Sequence, residues 1–277
     1  MGSEERKCKI GVFDSGYGGL TILREISKVL PQYDYIYLGD NARAPYGSRS
    51  FDIVYEFTLQ AVKYLFGQGC KLVILACNTA SAKALRTIQQ RDLPNIDPSW
   101  RVLGVIRPTV ERLGEFSETG HIGVLGTAGT ISSMSYEMEI AKLYPDFKTF
   151  GEPCPLWVPL IENSEFNGDG ADYFVKKYIN RLFAQCSDID TVVLGCTHYP
   201  LLIEKIEKYM PEGVKILAQG EIVAASLADY LKRHPEMETC CSTGGTTEYL
   251  TTECPDKFGE LAAIFLGREI EVKHISL

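Results

Sequence analysis

Two stretches of the chain decide its fold: KLVILACNT, residues 71–79, and TVVLGCTH, residues 191–198. Each begins with a short apolar run of the length of a buried strand and ends in a cysteine that polar residues follow. Such runs between longer helical patterns are typical of parallel strands in an α/β fold. The two stretches therefore predict a sheet in each half of the chain, with a cysteine at the end of one strand in each.

Strand and helix patterns alternate through the remainder of the chain. Residues 8–13 form an apolar run, a glycine-rich turn follows, and residues 20–30 carry apolar side chains at helical spacing. The same order returns at residues 121–125 and 132–143, after a linker of turn-forming residues at 92–99. The sequence therefore predicts two pseudo-symmetric α/β domains, each with a mainly parallel sheet flanked by helices, and an active site in the cleft between them.

Two alignments within the chain indicate an internal duplication. The segment IGVFDSGYGGLT, residues 10–21, aligns with IGVLGTAGTI, residues 122–131, at an offset of 112, and the two cysteine motifs align at an offset of 119. Unrelated βαβ units also produce such similarities, but two comparable offsets in one order favour duplication. We predict a first domain of residues 1–101 plus 216–277, whose tail folds back across the hinge, and a second domain of residues 102–215.

The composition argues against several classes of function. The 277-residue chain has 45% hydrophobic residues and a formal net charge of −8 without a basic run, so nucleic-acid binding is not expected. The amino-terminal residues are polar, and no stretch approaches the roughly 18 apolar residues of a membrane helix. Nine cysteines, an odd number without paired spacing, are typical of free thiols in a reducing compartment. We expect a cytoplasmic protein that binds neither membrane nor nucleic acid.

Metal and dinucleotide sites are not indicated either. The sequence has no C-x-x-C pair and no H-x-x-x-H pair, so no metal site is expected. The turn DSGYGG, residues 14–19, follows a strand and opens a helix, but its spacing is not G-x-G-x-x-G. Its glycines can bring backbone N–H groups close to a ligand, which makes Asp14 and Ser15 candidate site residues. The alternative is a tight turn in which one of them caps the helix.

Cys77 and Cys196 are the main candidates for chemistry. Each is expected where a strand ends and a helix begins, and the partial positive charge of a helix start lowers the pKa of a thiol. Asn78 and Thr79 follow the first cysteine and Thr197 follows the second, and all three can hydrogen-bond a carboxylate. The alternative is a buried structural cysteine with capping neighbours. Six further cysteines are assigned to packing or surface: Cys8, Cys70, Cys186, Cys240, Cys241 and Cys254.

Other candidates surround these motifs. His198 can polarise a thiol or share its proton, although a lone histidine is often structural. The dipeptide Tyr46-Gly47 lies in a loop between a strand and a long helix, where it is a ligand contact or a simple turn. Glu152 precedes an apolar run, and either it or Asp14 could bind an ammonium group of a substrate.

At these motifs the chain resembles the glutamate racemases of the Asp/Glu racemase family, over nearly its whole length. The shared segments, in the same order, are DSG and GG within residues 14–19, PYG at 45–47, ACNTA at 76–80 and GCTHYPLL at 195–202. The last segment is the most specific, because the related aspartate racemases typically carry Glu at the position of His198.

This resemblance implies a cofactor-independent glutamate racemase that supplies D-glutamate for peptidoglycan, uses no metal and forms a homodimer. It implies that Cys77 and Cys196 are the catalytic acid/bases, with Asp14, His198 and Glu152 as assistants. The implied substrate-binding residues are Asp14, Ser15, Tyr46, Gly47, Asn78, Thr79, Thr127, Thr197 and His198.

The chain departs from the family pattern at three places. Tyr17 stands where a small aliphatic residue is usual, and Arg107 stands where an acidic or neutral residue is usual. Ala218-Gln219-Gly220 replaces a common Asp-Ser-Gly. None of these lies in a cysteine motif, so they bear on the hinge, the subunit contacts and any allosteric control rather than on the reaction.

The implied reaction explains the residue types. Without an electron sink, hydrogen-bond donors around the substrate carboxylate must stabilise the charge that develops at Cα. One thiol must be ionised and the other protonated, and an ordinary cysteine pKa near 8.5 needs only modest tuning for this. Three alternatives stay open: a racemase for aspartate or another small amino acid, a non-catalytic amino-acid binding protein with two lobes, and a thiol redox enzyme, which would want a C-x-x-C motif.

Overall fold

The structure is a computed structural model that describes residues 7–277. Within these residues, ten β-strands form two separate sheets in which every paired strand is parallel to its neighbour. The strands are β1 (Ile10–Asp14), β2 (Tyr35–Gly39), β3 (Leu72–Leu75), β4 (Arg101–Gly104), β5 (His121–Gly126), β6 (Lys148–Pro153), β7 (Thr191–Gly195), β8 (Lys215–Leu217), β9 (Thr247–Thr251) and β10 (Val272–His274).

Helices connect the strands and cover the sheets, as parallel β-structure requires. They are α1 (Gly19–Val29), α2 (Phe51–Gly67), α3 (Asn78–Lys83), α4 (Leu85–Thr87), α5 (Leu93–Ile96), α6 (Ile106–Glu111), α7 (Ala128–Ser132), α8 (Ser135–Leu143), α9 (Trp157–Glu162), α10 (Asp169–Gln185), α11 (Ile203–Tyr209), α12 (Gln219–Arg233), α13 (Pro235–Glu238) and α14 (Pro255–Leu266). Short 3₁₀ turns occupy Asn41–Arg43, Leu113–Glu115 and Tyr199–Leu202, and Ile88–Asp92 is a π-helical turn.

The two sheets share one strand order, and the predicted fold class is confirmed. In the first sheet β1 is flanked by β2 and β3, and β4 follows β3. In the second sheet β5 is flanked by β6 and β7, and β8 follows β7. The aligned segments of the sequence thus occupy equivalent central strands, and both cysteine motifs follow the strand beside them. This equivalence supports the duplication hypothesis.

The strand pairing refines the sequence reading at both ends of the second half. Strand β4 pairs with β3, so residues 102–104 belong to the first sheet rather than opening the second. Strand β8 pairs with β7, so residues 216 and 217 stay with the second sheet. The sequence reading did not predict β6, β9 or β10. The division of the chain into two domains remains a proposal, and the sheet boundaries differ from the predicted bounds by a few residues at each end of the second domain.

The carboxyl-terminal tail returns to the first sheet. Strand β9 pairs with β2, and β10 pairs with β9. Helix α12 packs along α1, and α14 packs against α1 and β10. In this contact Phe258 of α14 stacks on Tyr17 at a ring distance of 5.1 Å, and Phe265 stacks on the same ring at 6.1 Å. Aromatic packing therefore attaches the tail beside the turn that follows β1.

The described residues contain no helix long and apolar enough to cross a bilayer. They also contain no cluster of three or more His, Cys, Asp or Glu side chains placed to hold a metal ion. All nine cysteines lie in this part of the chain as free thiols.

Phe258→Ala is expected to lower the free energy of unfolding by about 3–5 kcal/mol, because it removes a fully buried ring and leaves a cavity under α14. Urea denaturation followed by circular dichroism measures this change. Ile264→Ala on the same helix is the matched control: its side chain is exposed, and the expected change is within about 0.5 kcal/mol. Equal losses in the two variants would contradict the packing role of Phe258.

Candidate active site

A cavity of about 460 Å³ lies where the carboxyl ends of the two sheets meet. Its walls include the segments that follow β1, β3, β5 and β7, the central strands of the two halves, together with the loop after β2, the segment after β6 and the returning tail. Ligands of parallel α/β sheets bind at this edge. Both Cys77 and Cys196 line the cavity, each from its own half of the chain.

Local sequence explains how these side chains reach the cavity. Cys77 is the N-cap of α3, and its sulfur accepts a hydrogen bond from the backbone N–H of Ala80 at 3.4 Å. Thr127 is the N-cap of α7, and its hydroxyl accepts from the backbone N–H of Thr130 at 3.2 Å. Ser15 adds a side chain from the turn after β1, with its Oγ 3.3 Å from Cys77 Sγ.

The surroundings of Cys77 favour the protonated thiol. Burial raises the pKa of Cys77 to about 12, and the neighbouring carboxylate of Asp14 adds to this rise. Hydrogen bonds from Ser15 and from the N–H of Ala80 oppose the shift without cancelling it. The N–H at the helix start lowers this pKa as expected, but burial outweighs it, so the net shift is upward and opposite to the direction that the sequence predicts.

Cys196 lies in the opposite electrostatic setting, beside an imidazole that is held by a carboxylate. Its sulfur lies 3.8 Å from Nδ1 of His198, and Nε2 of the same ring lies 3.0 Å from Glu162 Oε1. Burial lowers the pKa of His198, but Cys196 and Glu162 together outweigh it and raise that pKa to about 10. The sulfur and the carboxylate on either side of the ring thus favour the charged form of His198.

Hydroxyl groups from the two halves meet on one wall of the cavity. Thr79 Oγ1 lies 2.9 Å from Thr127 Oγ1 and 3.2 Å from Thr130 Oγ1, and the last two oxygens are 3.1 Å apart. The backbone N–H of Gly129 donates to the carbonyl of Gly47 at 2.7 Å. These bonds bring the loop after β2 and the start of α3 against the start of α7.

Ten of the twelve residues predicted for the site line this cavity. They are Ser15, Tyr46, Gly47, Cys77, Asn78, Thr79, Thr127, Cys196, Thr197 and His198. The Tyr46 hydroxyl donates to the carboxylate of Asp40, which anchors the loop that carries Gly47.

Asp14 and Glu152 do not line the cavity. Asp14 lies beneath it, buried, with one carboxylate oxygen accepting from the N–H of Gly16 at 3.0 Å and the other without a hydrogen-bond partner. Burial raises the pKa of Asp14, and His198 opposes the rise. Glu152 is also buried, and its Oε1 lies 3.0 Å from Nε of Arg181 on α10. Its carboxylate is thus turned toward α10, while Cys154 on the same stretch lines the cavity.

Sequence reasoning missed several residues that the structure places at the site. Glu162 ends α9, in a segment without a recognisable motif, and only the fold brings it to His198. Glu253 and Lys257 come from the returning tail and line the mouth of the cavity. Tyr17 lines the cavity as well, although the sequence reading placed it outside the chemistry. No spacing rule could have found the first three, because each depends on how distant segments pack.

Gly18 lets the two halves approach at this point. Its φ of −57° is an ordinary helical value, so the backbone does not require glycine there. A Cβ atom would lie 2.2 Å from Thr197 Oγ1 and 2.4 Å from His198 Nδ1, far inside van der Waals contact. The glycine is therefore needed for space beside the second cysteine motif.

Comparison with known proteins agrees with this arrangement. The family model for Asp/Glu/hydantoin racemases matches residues 17–227. The glutamate racemase of Geobacter metallireducens is 39% identical over 269 residues, which cover 97% of this chain and 96% of that protein. The crystal structure of glutamate racemase isoform RacE1 from Bacillus anthracis superposes with a TM-score of 0.89 at 34% identity, with 98% of each chain covered. Glutamate racemase from Francisella tularensis, solved in complex with D-glutamate, gives 0.86 at 33% identity and the same coverage.

The fold, the cavity and these matches define an isomerase of the amino-acid racemase class. The chain belongs to the Asp/Glu/hydantoin racemase family, and the full-length relatives that it resembles are glutamate racemases. The family resemblance read from the sequence is confirmed.

Gly18→Ala is expected to lower kcat/KM for racemisation by roughly a hundredfold or more, because the new methyl group displaces Thr197 and His198 by about 1 Å. Steady-state racemisation kinetics measure the effect. Gly67→Ala is the matched control, since a Cβ at the end of α2 meets no atom within 4 Å. A Gly18→Ala enzyme as active as Gly67→Ala would show that the two segments tolerate separation.

Proposed function

We propose that the protein is a glutamate racemase that exchanges the Cα proton of glutamate between two thiols, without a cofactor. The observation that carries this proposal is that one cavity of about 460 Å³ is lined by Cys77 and Cys196 from opposite halves of the chain. Inversion at a carbon centre requires a base on one face and an acid on the other, and this placement supplies one sulfur for each.

The two sulfurs have different polar neighbours, and we assign them different roles. Cys196 lies 3.8 Å from Nδ1 of His198, which can exchange a proton with it, so we assign Cys196 the role of the base. Burial and Asp14 favour the thiol at Cys77. In this scheme the Cys196 thiolate removes the proton from one face of Cα while the Cys77 thiol donates a proton to the other face. The reverse reaction starts from the opposite pair of states.

Hydrogen-bond donors stabilise the charge that forms on the substrate. Removal of the α-proton shifts negative charge onto the neighbouring carboxylate, where fixed donors are most effective. Ser15, Asn78, Thr79 and Thr197 are the side chains that we assign to this role, with Thr127, Tyr46 and Gly47 completing the substrate-binding surface. His198 acts with Cys196, and Asp14 acts on Cys77 from beneath the cavity. For Glu152 we propose a structural role, and we assign the support of His198 to Glu162.

Glutamate is proposed as the substrate because the relatives that match over nearly the whole chain are glutamate racemases, and one such structure is described in complex with D-glutamate. A racemase for aspartate or another small amino acid is the alternative within the same chemistry. We further propose that the protein is a homodimer located in the cytoplasm. Its product, D-glutamate, would be used in peptidoglycan synthesis.

Purified protein given L-glutamate without added cofactor is expected to bring the optical rotation to zero, since the enantiomers have equal free energies. Cys77→Ala and Cys196→Ala are each expected to abolish this change, because each removes the acid or base on one face of Cα. Circular dichroism at a fixed wavelength follows the reaction, and L-aspartate in parallel separates the two substrate hypotheses. In D₂O the product is expected to carry deuterium at Cα.

Cys254→Ala provides the control, because this exposed thiol lies outside the cavity. Racemisation at a near-normal rate by either Cys77→Ala or Cys196→Ala would overturn the two-thiol mechanism. Activity on aspartate with none on glutamate would overturn the assigned substrate and leave the mechanism standing.

Glu162→Gln is expected to move the alkaline limb of the kcat/KM profile to lower pH by roughly 1 unit or more. Glu162 helps to raise the pKa of His198 to about 10, so the imidazolium persists well above neutral pH in the native protein and is lost as pH rises through that value. Removing the Glu162 carboxylate lowers the pKa of His198, so activity is lost at a lower pH than in the native protein. Values of kcat/KM measured between pH 6 and 10.5, a range that includes the pKa of about 10, define the alkaline limb.

Glu152→Gln is the matched control for this measurement, because that buried carboxylate faces Arg181 and does not touch His198. Its alkaline limb is expected to coincide with that of the native protein. A limb that moves in Glu152→Gln and stays fixed in Glu162→Gln would return the assisting role to Glu152.

A further inference from the structure

Gln219 is the first residue of α12 and the centre of a buried polar network that reaches the cavity. Its Oε1 accepts from Asn78 Nδ2 at 2.6 Å. Its Nε2 lies 2.9 Å from Thr109 Oγ1, 2.9 Å from the Tyr136 hydroxyl and 3.2 Å from the carbonyl oxygen of Val105. Gln219, Thr109 and Tyr136 are all buried. None of them lines the cavity, whereas Asn78 does.

The direction of every hydrogen bond in this network follows from one carbonyl group. The carbonyl of Val105 can only accept, and the Thr109 hydroxyl donates to it at 2.8 Å. The lone pairs of Thr109 therefore face Gln219, which must turn its NH₂ group toward Thr109 and Val105. Its Oε1 then faces Asn78 and can only accept. The orientation of the Gln219 amide is thus determined by chemistry rather than by a choice between oxygen and nitrogen.

The same constraint determines the orientation of Asn78. Since Gln219 Oε1 accepts, Asn78 must present its Nδ2 group to it. The Tyr136 hydroxyl accepts from Gln219 Nε2 and donates to Asn78 Oδ1 at 2.8 Å. One N–H of the Asn78 amide therefore donates to Gln219, and the Asn78 oxygen accepts from Tyr136. Only the second N–H of Asn78 remains available to a ligand in the cavity.

We infer that Gln219 is a positioning residue that sets the Asn78 amide with an N–H, rather than the carbonyl oxygen, toward the substrate carboxylate. The inference rests on the proposed function, in which Asn78 binds that carboxylate. A free asparagine amide can present either end, and the oxygen would repel a carboxylate. Gln219 also joins the two halves, because Asn78 follows β3, Tyr136 lies on α8 of the second half, and Thr109 lies on α6.

The glutamine side chain suits this position, because its amide carries two donors and an acceptor. Oε1 accepts from Asn78, and the two N–H groups are shared among Thr109, Tyr136 and the Val105 carbonyl. Gly220 fits the same arrangement, because a Cβ there would lie 2.7 Å from Glu25 Cγ on α1. The close contact of α12 with α1 holds Gln219 at the level of Asn78.

Comparison of Gln219→Met in two backgrounds tests the inference. Gln219→Met keeps the side-chain length and removes its hydrogen bonds, so kcat/KM for glutamate racemisation is expected to fall roughly tenfold in the native background. In the Asn78→Ala background, which is itself expected to be slower by about a hundredfold and still measurable, Gln219→Met is expected to cost less than about twofold. A residue that acts only through Asn78 has nothing left to position once Asn78 is gone.

Tyr136→Phe repeats the test without altering α12, since it removes the hydroxyl that donates to Asn78 Oδ1. We expect Tyr136→Phe to lower kcat/KM by the same factor in the native background, and to have almost no effect in the Asn78→Ala background. Tyr35→Phe is the matched control: it removes another buried tyrosine hydroxyl, which donates to the Leu30 carbonyl away from the cavity, and leaves kcat/KM unchanged. If Gln219→Met does not accumulate as a folded protein, the effects of Tyr136→Phe on kcat/KM in the native and Asn78→Ala backgrounds test the inference instead.

Equal factors in the two backgrounds would overturn the inference, because they would show a general structural effect. Full activity of both Gln219→Met and Tyr136→Phe would overturn it as well. Failure of the unaltered protein to racemise glutamate would count against the proposed function instead, so the two failures are distinguished by the first measurement in the series.

Discussion

The structure depends on one constraint: side chains from two different sheets must reach the same small volume. Cys77 and Cys196 end equivalent strands of two halves, and neither half alone could place sulfur on both sides of a ligand. The hydroxyl contact of Thr79 with Thr127 joins the halves. The missing side chain at Gly18 lets the turn after β1 lie against Thr197 and His198. The strand order, the helix starts and the position of Gly18 together allow side chains of both sheets to reach the cavity.

Similar backbone positions do not produce similar chemistry. Both cysteines are buried at the end of a central strand, but Cys77 has the carboxylate of Asp14 for a neighbour and Cys196 has the ring of His198. Burial raises the pKa of the Cys77 thiol, and the carboxylate of Asp14 adds to this rise. Equivalent strand ends in the two halves thus carry different polar neighbours, which the shared strand order alone does not determine.

The sequence predicted the parts of this arrangement that depend on local patterns. Apolar runs identified the central strands, and the cysteine motifs identified the parts of the cavity wall at residues 77–79 and 196–198, because polar residues after a parallel strand share an edge of the sheet. It failed where tertiary packing decides. Glu152 and Glu162 both flank apolar segments of the same region, so the sequence does not distinguish them. In the structure the carboxylate of Glu152 faces Arg181, whereas the position of α9 brings Glu162 to His198. The pKa of the Cys77 thiol also differs from the sequence-based prediction, because burial raises it and a motif does not reveal burial.

The tail shows why the last part of the chain is integral to the site. Tyr17, in the turn after β1, stacks on Phe258 and Phe265 of α14, and Phe265 meets the His198 ring edge-on at 5.5 Å. The aromatic contacts thus run from the first-sheet turn through the returning helix to the histidine of the second half. A ring held between Phe265, Glu162 and Cys196 has little freedom to rotate, and its two nitrogens stay directed at a carboxylate and a sulfur. Tyr17 thus anchors the helix that packs against His198, and it belongs to the support of the site.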